Sequence, residues 1–145
     1  MFMGEYHPSL DEKGRVAVPI KLRKAFGEDV IIEKLVVTYG FGKYIMAYRV
    51  EDWDDFVKTK LIKASETDPD GPNLVRYFVG GAFECELDKQ GRIIVPQHLK
   101  EHAGIAKDVT VLGLYNRIEI WDTAMYNSNK PSGETLSTLG RDLGF

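Results

Sequence analysis

Arg15 and Arg92 are the side chains of this sequence best suited to gripping an anion, because each closes the same D-x-x-G-R turn. Asp11-Glu12-Lys13-Gly14-Arg15 and Asp88-Lys89-Gln90-Gly91-Arg92 stand 77 positions apart. In such a turn the aspartate accepts hydrogen bonds from backbone amides just ahead of it, and glycine supplies the left-handed conformation that closes the loop. Asp11, Gly14, Asp88 and Gly91 are therefore turn-fixing residues that need no ligand to explain them. The arginines are not required by the turn. An arginine that opens a strand can project its planar fork of donors from the end of a sheet, where it matches a phosphate or the edge of a guanine. An Asp–Arg ion pair inside each turn, with nothing bound, is the competing reading.

Local charge favours the anion-binding reading at the first turn. Lys13, Arg15, Lys21, Arg23 and Lys24 face only Asp11 and Glu12 across residues 11–24, although the whole chain carries a net charge of −3. A mildly acidic protein can present a basic face, because salt screens each charge beyond about 8 Å. The second turn is weaker, with Lys89, Arg92 and Lys100 against Asp88 and Glu101.

Other candidate chemistry is thin. His98 and His102 lie four residues apart on an expected helix with Glu101 between them, a spacing that can share a metal. No third ligand follows at a sensible distance and the H-E-x-x-H order is absent, so surface or packing roles are expected and no metal is assigned. Cys85 reads as a small packing residue, since Glu84 and Glu86 oppose formation of a thiolate. Gly40-Phe41-Gly42 lacks the lysine and helix of a phosphate loop. No catalytic residue, cofactor or small-molecule substrate is indicated, and the expectation is a protein that is not an enzyme.

The elements that hold the two turns are also duplicated. Gly4 corresponds to Gly81, Leu10 to Leu87, Val18-Pro19 to Val95-Pro96, Leu22 to Leu99 and Gly27 to Gly104. Fixed-offset similarity of this kind means one structural unit built twice. Each copy reads as a strand (Met3 to Leu10; Gly81 to Leu87), the turn, and a second strand (Arg15 to Val18; Arg92 to Val95). Proline then ends that strand and opens a short helix (Ile20 to Phe26; Gln97 to Ala103) closed by glycine. A β pair follows, 29–38 with 44–49 in the first copy and 109–114 with 117–121 in the second. From Val50 an amphipathic helix places Val50, Trp53, Phe56, Val57 and Leu61 on one face, with acids at its start and lysines later, as the helix dipole favours. The loop 67–73 is the expected boundary, giving repeats over 1–72 and 73–127. Residues 128–145 turn polar and are expected to be a poorly ordered tail.

At 145 residues the chain has the size of one domain, and each repeat alone is near the lower limit for a sufficient core. Packing the two halves together, and several chains together, is the economical solution. With 43% hydrophobic residues and 11% aromatics the composition is that of a globular protein. No apolar run approaches the ~20 residues that span a bilayer. The residues Met1 to Glu5 have neither the basic start nor the apolar core of a signal peptide. A single cysteine suits a reducing cytosol.

Taken together, Met1-Phe2-Met3-Gly4-Glu5-Tyr6, the two D-x-x-G-R turns, Phe78-Val79-Gly80-Gly81-Ala82-Phe83-Glu84-Cys85 and Asn116-Arg117-Ile118-Glu119-Ile120-Trp121 resemble the bacterial MraZ family over roughly residues 1 to 127. Each repeat also resembles the swapped-hairpin domain of AbrB-type regulators. The resemblance implies a mainly β fold with short helices (α+β), in which two tandem AbrB-like repeats form an intrachain pseudo-dimer. It implies a cytoplasmic, nucleoid-associated transcriptional regulator that binds double-stranded DNA at repeated boxes upstream of the division and cell-wall gene cluster, as a ring-shaped homo-oligomer. By position it nominates Arg15, Arg92, Lys13 and Lys89 as DNA-binding, together with Arg23 and Lys24, which match a basic pair in AbrB. A protein-interaction module is the second reading, because AbrB-like folds also occur in antitoxins.

Overall fold

Short apolar strands ending at glycine or proline dictate many turns, and the computed structural model, which describes residues 1–145, shows how the repeats share them. Eight strands form: β1 (Phe2–Tyr6), β2 (Arg15–Ala17), β3 (Lys34–Tyr39), β4 (Ile45–Tyr48), β5 (Phe83–Glu86), β6 (Arg92–Ile94), β7 (Val109–Tyr115) and β8 (Ile118–Asp122). Six of them build one antiparallel sheet in the order β1-β7-β8-β4-β3-β5, and β2 pairs with β6 in a separate ribbon. Exchanging the repeats leaves this order unchanged, since β1 corresponds to β5, β3 to β7 and β4 to β8. The pseudo-dimer is thus visible in the strand order itself.

The strands flanking each turn do not pair with one another as a simple hairpin. β1 lies against β7 of the second repeat, β5 against β3 of the first, and β2 against β6. Each repeat lends its opening strand to the hairpin of the other. Neither could complete its sheet alone, which is how repeats this short gain a sufficient core.

One core cluster of 20 buried residues draws on both repeats, including Phe2, Val16, Leu22, Leu35 and Val37 from the first and Ile93, Leu99, Val109, Val111 and Ile118 from the second. β4 is buried along its whole length. Ile45 and Ala47 enter the shared core, whereas Met46 and Tyr48 join a smaller cluster with Leu61 and Phe78 on the opposite face of the sheet. That second face is covered by helices. α1 (Ile20–Arg23), after β2, instead sends Leu22 into the shared core, while α2 (Val50–Phe56), a π-helical turn (Val57–Leu61) and α3 (Ile62–Thr67) run on from β4, with Trp53, Phe56, Val57 and Leu61 packed on this face.

The expected loop 67–73 is shorter in the structure, because α4 (Gly71–Phe78) begins inside it. Pro72 suits the first helical turn. Gly71 is buried against α3, where a Cβ would overlap the Ala64 carbonyl. α5 (Gln97–Ala103) lies where the repeat places it and ends at Gly104 in the left-handed conformation, φ 65°. The polar tail also differs from expectation. α6 (Thr123–Asn129) is capped by Asp122, and α7 (Gly133–Asp142) is capped by Ser132, whose oxygen accepts from Thr135 N. Local capping makes α7 a helix although none of its residues is buried. No helix is long and apolar enough to cross a membrane.

Candidate nucleic-acid interface

The period-2 alternation of a strand decides which way each turn arginine faces. In the β2–β6 ribbon Arg15 is opposite Ile94, Val16 opposite Ile93, and Ala17 opposite Arg92. Val16 and Ile93 are each only 1% exposed and enter the core. Arg15, Ala17, Arg92 and Ile94 consequently share the outer face, with the two arginines on a diagonal. This ribbon brings together the two turns that the sequence separates by 77 residues.

Each turn is built as its sequence requires. Asp11 Oδ1 accepts from the amides of Lys13 and Arg15, both at 2.9 Å, and Oδ2 accepts from Arg15 Nε at 2.7 Å. Asp88 Oδ1 likewise accepts from Gln90 and Arg92 amides at 2.9 Å, and Oδ2 from Arg92 Nε at 2.8 Å. Gly14 and Gly91 take φ values of 75° and 74°, the left-handed region that excludes most side chains. Their carbonyls accept from Val95 N at 2.9 Å and Val18 N at 2.8 Å, so each turn is tied to the strand of the other repeat. The amides of Arg15 and Arg92, foremost, hold the Asp11 and Asp88 carboxyls below the usual carboxylate range.

The Asp–Arg pair inside each turn is therefore present, as one of the two sequence readings has it. It engages Nε and leaves the outer edge of the fork. The arginine side chains are 26% and 29% exposed, and the terminal nitrogens of Arg15 make no hydrogen bond within the chain. The aspartates orient the arginines rather than burying them.

The remaining basic residues differ among themselves. Lys13 and Lys89 stand exposed at the two turn tips. Lys24 is drawn toward Glu28, with Nζ 3.6 Å from its carboxylate. Arg23 lies apart from the outer face: its Nε donates to Val18 O at 2.9 Å, and its guanidinium rests on Gly91, where a Cβ would overlap it. It lines a cavity of about 470 Å³ with Lys34, Glu86, Asp88 and Lys89. The first repeat's helix thus braces the second repeat's turn, and Gly14 has no such neighbour. Residue spacing misses this contact, and it misses Ile94 on the outer face, although the alternation Arg92-Ile93-Ile94 carries the signal.

The rival groups have packing roles. His98 Nε2 lies 3.0 Å from Gly81 O and His102 Nε2 2.8 Å from Gly42 O, with both rings against Tyr39. Cys85 is buried, which pushes its thiol up to about 11.

Fold and site together define a two-repeat, swapped-strand protein with paired arginine turns on one ribbon. The family model described as "MraZ protein, putative antitoxin-like" matches residues 1–76 and 78–130. The Transcriptional regulator MraZ of Acetivibrio thermocellus is 44% identical over 88% of this chain and 85% of its own length. Those of Clostridium botulinum and Halothermothrix orenii are 42% and 38% identical, with the full length of both chains covered in each case. The chain belongs to the MraZ family, whose members are named as transcriptional regulators and not as enzymes.

Proposed function

We propose that this chain regulates transcription by binding double-stranded DNA through its two D-x-x-x-R turns, as a ring-shaped homo-oligomer set against repeated boxes upstream of the division and cell-wall gene cluster. It acts in the cytoplasm, on the nucleoid. One observation carries this reading: two oriented arginine forks share the outer face of a single two-stranded ribbon. The major groove of B-DNA admits such a ribbon, and arginine pairs in bidentate fashion with guanine there. Lys13 and Lys89 at the turn tips supply phosphate contacts, with Lys24 and Arg23 behind them.

A single chain making a few phosphate contacts binds weakly and loses affinity steeply with salt. Several copies linked in a ring against spaced boxes raise the effective concentration, multiplying affinity by about 10²–10⁴. A net-acidic chain can serve as such a regulator if the assembly presents one basic face.

A second reading, an antitoxin-like interaction module, is favoured by the exposed Leu136, Leu139 and Leu143 in and just beyond α7. Purification at low salt separates the two. Retained DNA and a gel shift with the chain's own upstream region support regulation, whereas a stoichiometric co-purifying protein without DNA supports the module.

A further inference from the structure

Charge does not explain Ile94. It is 65% exposed on the outer face of the ribbon, directly opposite Arg15. Alternation requires residue 94 to point outward, because Ile93 points in, but it does not require an apolar side chain there. The backbone at this position is fixed by the ladder, and Ile94 O also accepts from Cys85 Sγ at 3.7 Å. Its counterpart in the first repeat is Ala17, which stands opposite Arg92. The outer face therefore has two unlike rows: arginine beside isoleucine, and arginine beside alanine.

We propose that Ile94 is a specificity residue that packs on the 5-methyl group of a thymine next to the base taken by Arg15. This rests on the reading that the ribbon's outer face enters DNA. In the major groove thymine is the base that presents a methyl group, and apolar side chains read it. Side chains directly opposite on an antiparallel pair stand about 4.5–5.5 Å apart. Successive bases on a strand are about 3.4 Å apart. Arg15 and Ile94 thus meet neighbouring bases. Ala17 is too short to reach as far beside Arg92, so the second row reads its neighbouring base less strictly.

The test uses a duplex of the chain's own upstream region in which thymines are replaced singly by deoxyuridine, which lacks only the methyl group. Wild-type affinity is expected to fall about fourfold at one thymine position per contacted box, the worth of one buried methyl. Ile94→Ala keeps salt-sensitive binding and becomes indifferent to that replacement, and Ile94→Val retains part of the effect. Because Ile94 is exposed, its truncation leaves the core intact, which an unchanged melting temperature verifies. Methyl-insensitive wild-type binding, or sensitivity that survives Ile94→Ala, overturns the assignment while leaving DNA binding standing. A change in sedimented mass on Ile94→Ala overturns it in favour of a subunit contact. Failure of the wild type to bind the duplex at all removes the regulatory reading itself, and this assignment with it.

Discussion

Arg92 Nη1 lies 3.8 Å from Asp11 Oδ2, so the acid of the first turn also faces the arginine of the second; no ion pair joins Arg15 to Asp88. Asp11 stands between both forks. Asp11→Asn is therefore expected to weaken DNA binding more than Asp88→Asn, since it loosens two arginines instead of one. Affinities of the two variants for one duplex check this, and equal losses would count against a shared orienting acid.

Acid should act through the same pair. Both carboxyls are held below their ordinary value, chiefly by the amides of Arg15 and Arg92. A lowered folded-state pKa means that the unfolded chain binds protons first as pH falls. The stabilisation is present above the ordinary carboxylate value of about 3.9 and is lost as pH drops through the lower folded values. Melting temperature against pH should fall less steeply below about pH 4 in the Asp11→Asn, Asp88→Asn double variant. Parallel wild-type and variant curves would contradict this.

The two turn glycines are expected to respond unequally. Gly14→Ala meets open space, so its cost is the left-handed backbone alone, about 1 kcal/mol. That lowers the melting temperature by roughly 2–4 °C. Gly91→Ala carries the same strain and also displaces the Arg23 guanidinium. It is expected to destabilise more, and a thermal double-mutant cycle with Arg23→Ala should show coupling, whereas Gly14→Ala with Arg23→Ala should be additive.

Cys85 should be nearly inert in the native protein. Burial pushes its thiol up to about 11. Alkylation at pH 8 is expected to be slow until denaturant is added, after which the single thiol reacts fully. Rapid native labelling would show that β5 opens readily.

Much of this organisation is legible in the residues. The copied turns announce a duplicated unit, and Asp11, Gly14, Asp88 and Gly91 perform the local tasks that their types dictate. The exchange of β1 and β5 between repeats is not legible in periodicity, because a strand's pattern specifies its faces and not its partner. The start of α4 hid behind Asp70-Gly71-Pro72, where turn composition masks a helix start set by the close approach of Gly71 to Ala64. α7 was obscured similarly: its Ser132 cap is a local signal outweighed by polar composition. Arg23 shows the limit at the site itself, since its packing on Gly91 depends on a contact between repeats.

The most direct measurement is a gel shift with the chain's own upstream DNA across a salt series, using wild type, Arg15→Ala, Arg15→Lys and Arg92→Ala. Arg15→Ala is expected to cost about 1–3 kcal/mol per base-reading contact. Arg15→Lys should restore charge but not the bidentate fork, and so recover little affinity. Arg92→Ala should weaken binding less, because the second turn has fewer basic neighbours than the first. Tight, salt-sensitive binding that survives the loss of Arg15 would contradict the account.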